Sequence, residues 1–140
     1  MKISILRKKS QAYKKFTDSE FEIADLKHYG RNNVWNTKNF FLKATFGKEI
    51  VGSMHLKTEG GIGEIPSLIV SNKRVRQGIG KALIKKAEEI TRKEGGHKLF
   101  LLTGKYWDAL KFYKSLGFIE SGDLKDFYLH TDFVVLVKYI

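Results

Sequence analysis

The segment from Ile65 to Thr103 constrains the fold more than any other part of this chain. It starts with an apolar run that ends at Val70 and finishes with the apolar run Leu99–Leu102, and between them apolar residues recur at helical spacing. These helical positions are Ile79, Ala82, Leu83, Ala87 and Ile90. Because a strand–helix–strand unit crosses over in a right-handed sense, its two strands run parallel. The segment therefore predicts an α/β fold with one parallel strand pair.

Pro66, the single proline of the chain, lies inside the first of these strands. Proline has no N–H to donate to a sheet ladder and is found at sheet edges or at bulges. The strand that ends at Val70 is therefore predicted to lie at an edge or to carry a bulge.

The rest of the chain is predicted to supply antiparallel strands and further helices. The clearer patterns predict a hairpin over Phe40–Phe46 and Ile50–Lys57, a second helix over Trp107–Leu116, and a final strand pair over Phe118–Leu129 and Asp132–Ile140. The weaker N-terminal patterns predict a strand at Ile3–Arg7, helices at Ser10–Phe16 and Glu20–Lys27, and a polar loop at Tyr29–Lys38. We expect one domain over residues 1–140, with a mostly antiparallel mixed sheet and helices on both of its faces.

Composition narrows the classes of partner. The chain has 140 residues with a net charge of +11 and no cysteine. A basic surface attracts nucleic acid, an anionic membrane or a ligand with several phosphates. Without cysteine there is no disulfide, no Cys-ligated zinc and no thiol nucleophile, and the four histidines lack metal-ligand spacing, so no metal is predicted. No apolar stretch approaches the length of a membrane span, so we expect a cytoplasmic protein without a membrane partner.

The segment Val70–Lys81, which contains Arg-Gln-Gly-Ile-Gly, joins the strand to the helix. Glycines at a helix N-terminus let backbone N–H groups approach an anion, and the helix dipole favours negative charge there. A P-loop is excluded because Val75 and Ala82 replace its glycine and its Ser/Thr, and a dinucleotide fingerprint is excluded by Leu83. Taken alone, this segment fits a phosphate site and an ordinary basic turn equally well.

A second segment, Ala109–Phe118, has the form A-x-x-F-Y-x-x-x-G-F. Together with the glycine turn before it and one buried strand between them, it resembles the GNAT superfamily of acetyl-CoA-dependent N-acetyltransferases. The resemblance covers roughly Glu64 to Phe118. It implies the GNAT fold, in which the parallel strand pair splays around acetyl-CoA, the co-substrate.

The resemblance implies a set of cofactor-binding residues. The pantetheine arm would bind the strand, the pyrophosphate would bind the backbone amides of the glycine turn, and the second helix would line the other side. In this chain the implied positions are Leu68, Ile69, Val70, Val75, Arg76, Gln77, Gly78, Ile79, Gly80, Lys81, Tyr106, Ala109 and Phe112. Val75 replaces the usual Gln or Arg, and Tyr106 replaces the usual Asn, so side-chain contacts are lost there. Arg74 or Arg76 could supply the missing charge.

The resemblance also implies catalytic roles. Tyr113 aligns with the tyrosine that protonates the departing thiolate, and Glu64 with the glutamate that serves some members as general base. A free N–H near Leu68 or Ile69 would stabilise the oxyanion. Asp132 and Tyr128 are weaker candidates for the general base. The alternative readings are a core aromatic for Tyr113 and a solvent-facing strand residue for Glu64.

These implications predict direct attack of an unidentified amine on acetyl-CoA in a ternary complex. Without a cysteine no thioester acyl-enzyme can form. The acceptor could be a small molecule or a protein, and the early loop (Tyr29, Arg31, Asn33, Trp35) is a candidate acceptor pocket. A basic enzyme suits a neutral or acidic acceptor.

Two other classes of function, and assembly into a homodimer, are alternatives that the sequence leaves open. A GNAT-like fold could bind acyl-CoA without turnover, as a regulator. A nucleic-acid-binding module would account for the basic charge, but no helix-turn-helix, zinc-finger or ribonucleoprotein signature is present, so nucleic acid is not the expected partner. The apolar final strand, Phe133–Ile140, could form the edge of a homodimer.

Overall fold

A computed structural model describes residues 1–33 and 35–140, which divide into two compact units, Met1–Trp35 and Asn36–Ile140. The first unit is built on one helix, α1 (Gln11–Tyr29). The Ser10 side chain accepts a hydrogen bond from the Tyr13 N–H at its start, and Gly30 ends it in the left-handed conformation. The two short helices predicted here are one continuous helix, and no strand forms at Ile3–Arg7. The predicted Tyr29–Lys38 loop includes position 34, which lies outside the described residues.

The second unit contains a six-stranded mixed sheet with the order β1-β2-β3-β4-β6-β5. Its strands are β1 (Lys38–Phe46), β2 (Glu49–Glu59), β3 (Ile62–Val70), β4 (Lys98–Gly104), β5 (Ile119–Leu124) and β6 (Phe133–Tyr139). Helix α2 (Ile79–Lys93) joins β3 to β4, and α3 (Asp108–Ser115) joins β4 to β5. In this unit β3 and β4 are the parallel pair, and the other pairings are antiparallel. The predicted hairpin, crossover and mixed sheet are confirmed.

The C-terminal strands differ from the prediction in two respects. The penultimate strand ends at Leu124 rather than Leu129, and a short 3-10 turn follows at Tyr128–His130. The last strand, β6, lies between β4 and β5, so the prediction that it forms a dimer edge was wrong. Its continuous apolar run is buried on both faces, as suits an internal strand. The outer strand is instead β5, whose residues are mostly polar and exposed.

Helices α2 and α3 pack against one face of the sheet, which we call the helix face. Leu56 of β2, Leu99 and Leu101 of β4, and Val134 and Leu136 of β6 are buried there. The buried stripe of α2 runs through Ile79, Leu83, Ile84, Ala87 and Thr91, while the predicted stripe member Ala82 is exposed. The opposite side is called the second face. Helices α2 and α3 both lie on the helix face, and α1 belongs to the first unit. The expectation that helices cover both faces of the sheet therefore stays a prediction.

None of the helices in residues 1–33 and 35–140 is long and apolar enough to cross a membrane.

Candidate functional site

The parallel strands β3 and β4 pair over a short length only. Their register joins Ile62 with Lys98, Gly63 with Leu99, and Glu64 with Phe100, although β3 continues to Val70 and β4 to Gly104. Beyond Glu64 the two strands therefore separate. We call the space between Ile65–Val70 and Leu101–Gly104 the strand gap.

A bulge in β3 begins the strand gap. His55 pairs with Ser67 and Lys57 pairs with Glu64, so two steps along β2 correspond to three along β3. The extra residue falls at Ile65–Pro66, which confirms the bulge predicted from the proline. A bulge bends its strand, and proline offers no N–H, so β3 turns away from β4 at this point.

Backbone amides of β3 point into the strand gap. The Ser71 N–H donates to the Val51 carbonyl oxygen at 2.8 Å, which directs the Ser71 amide toward β2. Amide directions alternate along an antiparallel strand, so Ile69 also faces β2 whereas Leu68 and Val70 face the gap. The two candidate oxyanion donors are the N–H groups of Leu68 and Ile69. Because the Ile69 N–H faces β2, only the Leu68 N–H of these two faces the strand gap.

The glycine turn follows β3 directly and presents further amides. Arg76 and Gly78 have φ values of 60° and 80°, in the left-handed region. Helix α2 begins at Ile79 with Gly78 as its N-cap, and no side chain caps it. The first N–H groups of a helix have no intrahelical acceptor, so those of Ile79, Gly80 and Lys81 are available to a ligand. The arrangement suits an anion.

The two glycines of the turn are required for different reasons. At Gly78 the backbone is left-handed and a Cβ would meet nothing within 4 Å, so the requirement is conformational. At Gly80 a Cβ would lie 2.8 Å from Cζ of Phe112, so the requirement is steric. This contact brings the N-terminus of α2 against α3, and thus joins the two sequence motifs in one place.

The predicted cofactor-binding residues are distributed along this surface with different exposure. Leu68, Val70, Ala109 and Phe112 are half-buried, and Ile79 and Gly80 are buried. The exposed positions are Ile69, Val75, Arg76, Gln77, Gly78, Lys81 and Tyr106. The structure thus brings the turn, the end of β3 and α3 together, with Tyr106 at the exposed entrance to α3.

One of the two candidate arginines is already engaged. The Arg74 guanidinium lies 2.6 Å from Oε2 of Glu49 and 5.3 Å from the centre of the Phe46 ring. Both partners lie beside the β1–β2 turn, so Arg74 braces that turn. Arg76 is exposed and lies two residues before Gly78, within the glycine turn itself.

Tyr113 points into the core on the helix face. Its side chain is 8% exposed, and its ring makes edge contacts with Phe112 and Phe118 at centroid distances of 5.1 and 5.6 Å. Burial raises the pKa of the Tyr113 phenol because the phenolate would lose solvation. The phenol therefore stays protonated at neutral pH, as a proton donor must.

Glu64 lies on the second face, at the narrow end of the strand gap. It is half-buried, with Lys57 and Phe100 as its cross-strand neighbours. The Lys57 ammonium instead pairs with Glu59 at 3.3 Å, and no ion pair reaches Glu64 within the described residues. Its carboxylate therefore has no cationic partner in that part of the chain.

The other candidates have local structural roles. The carbonyl of Asp132 accepts from the Lys105 N–H, and its Oδ1 accepts from the Asp126 N–H. Within the first unit, Trp35 donates its indole N–H to Asp25 and contacts Tyr29 edge to face. The acceptor pocket predicted at Tyr29, Arg31, Asn33 and Trp35 stays a prediction. No group of three or more His, Asp or Glu side chains could hold a metal ion in residues 1–33 and 35–140.

Sequence reasoning missed one group of residues near the strand gap. Trp107, Phe127 and Phe133 pack together with Tyr128 beyond the end of β4. The signal available in the sequence was the density of aromatic residues after Lys105 and between Phe127 and Phe133.

A model of a known protein family matches this chain. The family is described as the acetyltransferase (GNAT) domain, and the match covers residues 8–134. It therefore includes the glycine turn, α3 and the strand gap, as well as part of each compact unit.

Solved structures share the fold at low sequence identity. An acetyltransferase from Bacillus cereus has a TM-score of 0.74 and 15% identity, over 98% of each chain. The ribosomal-protein-S18-alanine N-acetyltransferase from Escherichia coli has a TM-score of 0.67 and 20% identity, over 73% of this chain and 69% of that one. A protein described as a streptothricin acetyltransferase from Bacillus anthracis, solved in complex with acetyl coenzyme A, has a TM-score of 0.68 and 22% identity, over 73% and 62%.

Proposed function

Because the chain belongs to the acetyltransferase (GNAT) domain family, and is accordingly an acyltransferase, we propose that it transfers the acetyl group of acetyl-CoA to a primary amine. The observation that carries the proposal is the strand gap, where unpaired β3 amides meet the uncapped N-terminus of α2. The family match spans parts of both compact units, which supports residues 1–140 acting as one N-acetyltransferase domain.

Acetyl-CoA fits the groups that this surface offers. Its pyrophosphate is an anion, and the amides of Gly78 to Lys81 with the helix dipole form an anion site. Its pantetheine arm carries two amides, which match the N–H and C=O groups that Leu68 and Val70 direct into the strand gap. Arg76 adds positive charge beside the turn. Because acetyl-CoA binds mainly to main-chain groups in this proposal, the unusual residues Val75 and Tyr106 need not abolish its binding.

The acceptor amine attacks from the second face. The helix face is occupied by α2 and α3, so the acetyl carbonyl in the gap is reached from the side that carries Glu64, Ser67 and Ile69. Only the uncharged amine is nucleophilic, so the ammonium first loses a proton. The Glu64 carboxylate accepts this proton, either directly or through a water molecule.

Transfer then proceeds without a covalent enzyme intermediate. The amine nitrogen bonds to the acetyl carbon, and the Leu68 N–H stabilises the negative oxygen that develops. The carbon–sulfur bond breaks, and the Tyr113 phenol gives its proton to the departing thiolate. The nitrogen, which still carries a positive charge, loses its second proton to solvent, solvent returns a proton to Tyr113, and the products are the amide and CoA.

Two measurements test this proposal together. The first is thermal unfolding with saturating acetyl-CoA, with adenosine diphosphate as a partial ligand. A ligand at 100 times its Kd adds about 2.7 kcal/mol, so the unfolding temperature should rise by several degrees. The second is thiol release from acetyl-CoA in the presence of a panel of primary amines.

The outcomes separate the enzyme from the alternatives. Stabilisation by acetyl-CoA with amine-dependent thiol release supports the proposal. Stabilisation with no turnover for any amine would favour an acyl-CoA-binding regulator. Absence of stabilisation, together with tight nucleic-acid binding that weakens with salt, would favour the nucleic-acid module.

A further inference from the structure

Four aromatic rings form a connected group, which we call the aromatic cluster: Trp107, Phe127, Tyr128 and Phe133. The Phe133 ring contacts those of Trp107, Tyr128 and Phe127 at centroid distances of 5.2, 5.3 and 5.9 Å. Phe127 and Tyr128 lie 4.5 Å apart. Edge-to-face contacts of this kind hold rings in fixed orientations. The cluster is therefore a preformed surface.

The aromatic cluster borders the strand gap on the second face. Phe133 pairs with Gly104, the last residue of β4. Leu99, Leu101 and Thr103 are the β4 residues buried on the helix face, so Gly104 faces the other way by alternation. The indole of Trp107 covers Gly104 so closely that no Cβ could be accommodated there. The cluster thus lies on the side from which the amine attacks.

Much of the aromatic cluster is exposed. Tyr128 and Trp107 are 59% and 52% exposed, while Phe133, which supports them, is 8% exposed. The neighbouring Leu129 is 95% exposed. These side chains form an apolar surface whose buried base, Phe133, pairs with Gly104 at the end of β4.

The loop that carries this surface is held in a strained conformation. Asp126, Leu129 and His130 have φ values of 48°, 52° and 59°, and a left-handed leucine is uncommon. The Phe127 N–H donates to the Thr131 carbonyl at 2.9 Å, and the Asp126 N–H donates to Oδ1 of Asp132 at 2.8 Å. Strain that is maintained by such bonds is common at ligand sites.

The charge around the aromatic cluster suits an amine. The chain has a net charge of +11, yet the loop from Lys125 to Asp132 carries two carboxylates, Asp126 and Asp132, against one lysine, Lys125. Asp126 also pairs with His130 at 2.8 Å. Two carboxylates beside an apolar surface attract an ammonium group that is attached to an apolar body.

We propose that the aromatic cluster selects the acceptor, and that the acceptor is a primary amine bearing an aromatic or bulky apolar group. The apolar group packs on Trp107 and Tyr128 while the nitrogen reaches the acetyl carbonyl in the strand gap. This proposal rests on the proposed function and specifies the substrate class of the same site.

The test uses the indole fluorescence of Trp107 to report amine binding at the aromatic cluster. The chain has two tryptophans, so a Trp35→Phe variant leaves Trp107 as the single source of indole fluorescence. With saturating acetyl-CoA present, this variant is titrated with 2-phenylethylamine and with ethylamine, and thiol release is followed in the parent protein, because Trp35 itself belongs to the predicted acceptor pocket. Since a buried ring adds apolar contact, we expect 2-phenylethylamine to change the emission and to half-saturate at a concentration at least about tenfold lower.

Variants separate recognition from folding. Tyr128→Ala should abolish the preference for 2-phenylethylamine, and Tyr128→Phe should restore most of it. Tyr139 is a matched control because it is 66% exposed and lies at the end of β6, away from the cluster. Tyr139→Ala should keep the preference, and all three variants should keep their stabilisation by acetyl-CoA.

Equal responses to the two amines, or no response to either one while acetyl-CoA still binds, would overturn the proposed acceptor class. An undiminished preference in Tyr128→Ala would equally do so. Loss of acetyl-CoA binding and of thiol release in the parent protein would instead count against the proposed function, so the two failures are distinguishable.

Discussion

Replacing Gly78 by alanine should damage acetyl-CoA binding as well as folding, and the chain offers a matched control. Gly78 and Gly95 have φ values of 80° and 81°, and at each of them a Cβ would meet nothing within 4 Å. Alanine in the left-handed region costs about 1–2 kcal/mol at either position. For a chain of this size that is a decrease in unfolding temperature of roughly 3–10 °C. Gly78→Ala and Gly95→Ala should therefore be destabilised alike.

The two variants should differ once acetyl-CoA is added. Gly78 is the N-cap of α2 and orients the amides that face the pyrophosphate, whereas Gly95 follows the end of that helix. Loss of one charge-assisted hydrogen bond costs about 1.5–3 kcal/mol, or roughly ten- to a hundredfold in affinity. At a concentration 100 times the original Kd, the stabilisation would fall from about 2.7 to about 0.4–1.4 kcal/mol.

Differential scanning calorimetry with and without acetyl-CoA measures both effects. We expect Gly95→Ala to keep the full ligand-induced shift and Gly78→Ala to keep half of it or less. If the parent protein and both variants showed the same ligand-induced shift, the amides at the start of α2 would have no part in binding, and the proposed pyrophosphate site would be wrong.

Three further predictions concern the catalytic residues. Tyr113→Phe should lower turnover by about 10²–10⁴-fold with nearly unchanged acetyl-CoA affinity, and full turnover in steady-state assays would remove Tyr113 as the acid. Because burial raises the pKa of this phenol, the folded state retains its proton longer than the unfolded chain does, so stability should fall as pH rises above ~10. Tyr113→Phe should flatten that decline in alkaline denaturation curves, and an unchanged slope would contradict it. Glu64→Gln should slow acetyl transfer mainly below the pKa of the acceptor amine, so an unaltered pH profile would argue against Glu64 as base.

Features that depend on neighbours in the sequence were predictable. Proline lacks an N–H wherever it stands, so Pro66 indicated an edge strand or a bulge before any partner strand was known. The spacing of apolar residues after Gly78 likewise specified α2. The N-terminal helix was predicted as two pieces, separated by Thr17, Asp18 and Ser19. These residues are poor helix formers, but their combined cost is small and the helix continues through them.

Features that depend on distant residues were not predictable from local patterns. An apolar run such as Phe133–Val137 is compatible with any strand that has buried faces, and only its pairing with both β4 and β5 places it inside the sheet. The Arg74–Glu49 ion pair joins residues 25 positions apart in sequence. The aromatic cluster similarly joins Trp107 to the loop before β6, through the pairing of Gly104 with Phe133.

Hydrogen–deuterium exchange with and without acetyl-CoA locates the binding site of the co-substrate, which we propose to be the strand gap and the glycine turn. We expect slower exchange in peptides that cover Leu68–Val70 and Gln77–Lys81, with little change in the edge strand β5. Binding of acetyl-CoA that left those two segments unprotected, or protected only the basic N-terminal segment, would contradict the proposed site.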